Sequence, residues 1–120
     1  MTGPASLSET AFEFARLCID WSDACFIEGI SHCVFPAKEK GGGFQFEDLS
    51  VVQSAVHAYC KTHFLQWAIF GNDREENQHP AYLTIILPHD GDWEARFRSD
   101  CLPHALMAVC VQAAKKLGAP

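Results

Sequence analysis

Residues 81–99, AYLTIILPHDGDWEARFRS, constrain the fold more than any other stretch. In AYLTIIL both alternating sets, Tyr82, Thr84, Ile86 and Leu83, Ile85, Leu87, are largely apolar. That pattern predicts a strand covered on both faces and therefore central in its sheet. Asp90-Gly91 supplies a hairpin signal. In DWEARFRS, Trp93, Ala95 and Phe97 face one way, and Glu94, Arg96 and Arg98 the other. Such alternation belongs to an edge or half-exposed strand, and its charges discourage pairing with another chain. LQWAIF supplies a preceding strand across the polar loop GNDREENQHP, so a three-stranded antiparallel meander is expected.

Helices flank this meander. Ser6 and Glu9 form a capping box ahead of Leu7, Ala11, Phe14, Cys18 and Trp21, whose spacing predicts a helix from about Leu7 to Trp21. Glu47 or Asp48 opens a second, with Leu49, Val52, Val56, Tyr59, Cys60 and His63 on one stripe, ending near Thr62 to Phe64. The last opens near Asp100 as cap, tolerates Pro103 in its first turn and stops at Gly118. Its apolar face is wide, with His104, Gln112, Lys115 and Lys116 on the wet side. Between the first two helices, His32 to Phe35 and FQF suggest short strands, separated by the exposed loop KEKGGG. The expected fold is α+β, in the order α-α-β-β-β-α, with extra short strands within residues 30–46.

A chain of 120 residues makes one domain, here residues 6–120 behind a loose tail at 1–5. It is long enough to bury a core without staples. No apolar run approaches the roughly 20 residues that span a bilayer, and MTGPASLSET lacks the basic-then-apolar order of a signal peptide. A cytoplasmic location without membrane association is expected. The net charge of −6 argues against general nucleic-acid binding, which needs clustered Lys and Arg. Six cysteines in mostly apolar surroundings read as small buried hydrophobes rather than a disulfide framework.

The helix opening EDLSVVQSAV, the meander and the closing LPHALMAVCVQA together resemble the phage α-β-α sandwich domains. Pro103, Ala105, Ala108 and Cys110 match the closing helix of that family, and Trp21 is similar to its early tryptophan. The resemblance spans about residues 8–118 and rests on packing motifs. It implies a small phage or prophage protein in the cytoplasm of a bacterial host, and it carries over no catalytic residue. The loop GNDREENQHP and the segment FIEGISHCVFPA depart from the pattern and are places where function can reside.

Three groups of residues raise the question of chemistry. HAYCKTH sets His57, Cys60 and His63 at intervals of three, and Cys101 with His104 repeats the Cys-x-x-His spacing. Two such pairs could supply a tetrahedral zinc site. An up-down-up meander, however, puts them at opposite ends of the sheet, so a core helix face with no metal is expected. Cys101 at a helix start with His104 one turn on is the best-placed thiol–imidazole pair, yet a packed first-turn cysteine is the favoured reading. Arg96 and Arg98 project from one strand face about 7 Å apart, as two residues of a strand do. They could grip an anion, although Glu94 beside them also fits a solvated edge with ion pairs. Trp93 reads as core rather than platform.

The expected function is therefore non-catalytic binding, with no cofactor. One form is inhibition of a host defence or regulatory protein through the apolar residues Phe26, Ile27 and Phe35. The other is capture of a small anionic signal such as a nucleotide by Arg96, Arg98 and Trp93, with a homodimer assembling the arginines. The alternative is a small Cys/His metal-binding protein or a cysteine-dependent enzyme.

Overall fold

The computed structural model describes residues 6–19, 25–27, 30–35, 43–71, 82–89 and 91–118. Its elements are α1 (Leu7–Leu17), β1 (Cys25–Ile27), β2 (Ile30–Phe35), β3 (Phe44–Gln45), α2 (Leu49–Thr62), β4 (Leu65–Gly71), β5 (Tyr82–Pro88), β6 (Ala95–Ser99) and α3 (Leu102–Lys116). The fold is α+β, with two antiparallel sheets ordered β1-β2-β3 and β4-β5-β6. The short strands expected before α2 are β2 and β3. The tail at 1–5, the loop at 72–81, Trp21 and the KEKGGG residues Lys38 to Gly42 lie outside the described residues.

Local chemistry accounts for the helix starts. The Ser6 hydroxyl accepts from the Glu9 N–H at 3.2 Å, and the Glu9 carboxylate accepts from the Ser6 N–H at 2.9 Å. These bonds hold the Glu9 carboxyl below its ordinary pKa. Asp48 caps α2 through bonds from the N–H groups of Ser50 and Val51. At α3 the expectation needs correction. Cys101, not Asp100, is the N-cap, and its side chain makes no capping bond. Helix α1 also stops earlier than expected, at Leu17, with Cys18 as its C-cap.

Helix α3 is the centre of the molecule. Apart from His104 and Gln112, the stretch Leu102 to Ala114 is apolar, and residues 105–111 are all buried. A helix apolar all round must be covered all round. It packs on β5 and β6 on one side and on α1 and α2 on the other. Alanines at 105, 108, 113 and 114 let the neighbours come close. The buried Thr84 of β5 ties strand to helix, its hydroxyl donating to the Ala105 carbonyl at 2.8 Å, with the Phe97 carbonyl at 3.2 Å. His104 is not on a wet side, because Thr10 of α1 and Phe97 of β6 enclose it. Phe14 and Phe44, with ring centroids 5.5 Å apart, join α1 to the small sheet.

The meander has the expected order with β5 central and β6 at an edge, but its two faces are unequal. Thr84 and Ile86 are buried beneath α3. On the opposite face Leu83 and Ile85 are half-buried, and Leu87 and Phe70 are 37% and 53% exposed. The expected two-sided burial of β5 is therefore corrected to one side. The reason is that α2 and α3 both pack on the same face of the sheet. The turn after β5 is wider than a two-residue hairpin, since the last ladder pair is Ile86 with Ala95. Glycine is needed within it at 91, where φ is +156° and a Cβ would come within 2.8 Å of the Pro88 ring.

Candidate functional site

The histidines and cysteines of HAYCKTH go separate ways. His57 is exposed, and its Nδ1 accepts from the Trp67 indole N–H at 3.3 Å, which leaves the proton of the neutral ring on Nε2. Cys60 is buried, and burial pushes its thiol up to about 12, which disfavours a free thiolate nucleophile near neutrality. His63 is the C-cap of α2 and lies against Tyr59, ring centroids 4.2 Å apart.

Cys101 and His104 sit at the far end of β5 from these. Leu65, just after α2, pairs with Pro88, whereas Ser99, just before α3, pairs with Tyr82. The His104 Nε2 is engaged with the Thr10 hydroxyl at 3.0 Å, and burial lowers the imidazole pKa. The Cys101 backbone N–H donates to the Ser99 hydroxyl. Among the described residues no three His, Cys, Asp or Glu side chains converge as metal ligands would.

Arg96 and Arg98 project from the outer face of β6. They do not act as a pair. The Arg96 guanidinium is bonded to the Glu94 carboxylate. Arg98 is exposed and makes no ion pair among the described residues. Trp93 is half-buried against the core, although the strand expected over 92–99 begins only at Ala95 and leaves Trp93 ahead of it. Phe26 and Ile27 belong to β1, and Phe35 ends β2 opposite Cys25. The exposure expected of those three concerns side chains outside the described ones.

A concavity lies elsewhere among the described residues. A groove of about 470 Å³ runs between the C-terminal end of α1, the start of β3 and the length of α2. Cys18, Ile19, Phe44, Val51, Ala55 and Tyr59 give it apolar walls, and Thr62 and His63 supply polar groups at one end. Burial raises the Tyr59 hydroxyl well above its ordinary pKa, so it stays protonated. Among the described residues no arginine lines this groove.

The residue after His63 is Phe64, 77% exposed and held at φ +57°. It occupies the first position after the α2 cap, where a left-handed residue ends the helix and glycine is the usual choice. Its carbonyl accepts from the His89 N–H at 3.2 Å, which fixes the turn against the end of β5. An aromatic side chain in this conformation costs about 1 kcal/mol or more. Reading periodicity alone passes over Phe64, because it belongs to no stripe. The available signal was a helix end with neither Gly nor Asn after it. Comparisons with family models, curated proteins and solved structures found no match to this chain.

Proposed function

We propose that this protein acts by binding a protein partner rather than by turning over a substrate, and that Phe64 and the groove beside it form the contact. The carrying observation is a strained, 77% exposed phenylalanine that directly follows His63, the last residue to line an apolar groove of about 470 Å³. Interface hot spots take this form, an aromatic anchor next to a pocket that can receive one in return. Local strain retained at an exposed position is a mark of functional constraint. Thr62, His63 and the Tyr59 hydroxyl offer the few polar contacts that set orientation. A small anion is the weaker reading, because Arg96 is already neutralised by Glu94 and no Lys or Arg among the described residues lines the groove. A role as a phage-type accessory protein that occupies a host defence or regulatory target belongs to this proposal, and its support is the resemblance of the packing motifs.

Affinity capture of partners from host cells tests it, comparing wild type with Phe64→Gly and with Ala55→Trp. The first removes the anchor while relieving strain. The second fills the groove. Loss of the same captured protein in both variants, with folding intact by circular dichroism, is the expected result. Unchanged capture by Phe64→Gly overturns the proposal, as does native mass spectrometry showing a stoichiometric metal.

A further inference from the structure

The outer face of the β4-β5-β6 sheet has a composition that solvent does not explain. The ladder sets its residues in rows: Phe70, Leu83 and Arg98 in one, Ala68, Ile85 and Arg96 in the next, Gln66 and Leu87 in the third. None of these side chains belongs to the core, whereas Trp67, Ile69, Ile86 and Phe97 on the other face do. The result is an apolar rail of Leu83, Ile85 and Leu87 along the middle strand, with Phe70 on one flank and Arg98 on the other. Leu83 and Ile85 of the rail are half-buried, Leu87 and Phe70 are exposed, and Arg98 has no ionic partner among the described residues.

We propose that this face docks on a second copy of the same face, about a two-fold axis that runs along β5. Packed sheets lie about 10 Å apart with strands within about 30° of alignment. An axis along β5 sets that strand over its own counterpart, so Leu83, Ile85 and Leu87 meet the same residues of the partner. It also sets β6 over the partner's β4. Arg98 then stands over the ring of the second copy's Phe70, twice by symmetry, in the geometry of a cation–π contact. Arg96, already paired with Glu94, lies over the small Ala68 of the second copy. The competing axis, across the strands, stacks Arg96 on Arg96 and is disfavoured by like charge. Charge and shape thus select one arrangement. A face three strands wide is at the small end of specific interfaces, so association in the range of tens to hundreds of micromolar is expected. This surface is separate from Phe64 and its groove.

Sedimentation velocity on the full chain from 10 to about 500 µM tests the docking. The wild type is expected to shift from monomer towards dimer across that range, and Ile85→Glu to weaken association at least tenfold. Arg98→Glu and Phe70→Lys are each expected to weaken it as well, by placing an anion over a ring or two cations together. The double variant, Arg98→Glu with Phe70→Lys, is expected to recover association, because the introduced carboxylate of each copy then faces the introduced ammonium of the other. Restoration is the result expected when residues 70 and 98 meet between copies. A wild type that remains monomeric at the highest concentration overturns the proposal. So does a dimer indifferent to all of these substitutions, or a double variant weaker than either single one. Circular dichroism on each variant separates loss of docking from loss of fold.

Discussion

Phe64 and His104 show how single side chains carry opposite kinds of information. Phe64 holds a left-handed backbone that glycine adopts without a Cβ penalty. Phe64→Gly is therefore expected to raise stability by about 1 kcal/mol, seen as a melting temperature a few degrees higher. A variant that is both more stable and unable to bind would mark the aromatic ring as retained for contact. His104 is enclosed by Thr10 and Phe97, and burial holds its pKa below the ordinary value of 6.5. The unfolded chain takes up that proton first as pH falls. Its contribution is full above the unfolded value and is lost as pH drops from 6.5 towards the folded pKa. Thermal melts from pH 7.5 to pH 5 should show this slope, and His104→Gln should flatten it. The capping carboxylate of Glu9 acts in a lower window, losing its contribution below the ordinary carboxyl range near 4.5.

At the level of elements, the helix starts differ in quality. α1 and α2 have side-chain caps, and α3 has none despite being the most buried helix. Packing holds α3 where local chemistry does not. Cys101→Ser puts a capping hydroxyl at its N-terminus and is expected to stabilise by about 0.5–1 kcal/mol, measured as a higher urea midpoint at unchanged slope. The same variant bears on the cysteine-enzyme alternative, since Ser at that position would abolish a thiol-dependent activity. The capping pattern of α1 and α2 was legible because a cap lies within three residues of its partner. The N-cap of α3 was misassigned to Asp100 because the true cap, Cys101, makes no side-chain bond that a residue-type preference could reveal.

For the whole molecule, α3 gathers the sheet, α1 and α2 into one core that includes Cys60 and Cys110, and Cys33 is buried as well. Cys33, Cys60 and Cys110 are at most 6% exposed, and burial raises the thiols of Cys60 and Cys110. Thiol alkylation followed site by site by mass spectrometry should leave those three unmodified in the native protein. They should react together once denaturant unfolds the chain. Labelling of Cys60 at the rate of an exposed thiol would contradict the packing described. Among the described residues no helix is long and apolar enough to cross a membrane.

Periodicity along the chain by itself determined the α+β class, the order of the three helices and the meander, and the outward row of Arg96 and Arg98. These follow from repeats of 2 and 3.6 residues, which any sequence displays locally. The separation of His57, Cys60 and His63 from Cys101 and His104 was also within reach, because an antiparallel meander has two ends. Tertiary structure alone decided which face of β5 is covered, since an apolar strand does not say on which side its helices land. It alone showed that His104 points into the core, that Glu94 occupies Arg96, and that α1, β3 and α2 leave a groove between them. Each of these depends on where a distant element comes to rest, and residues 10 and 104 meet only after the chain has folded.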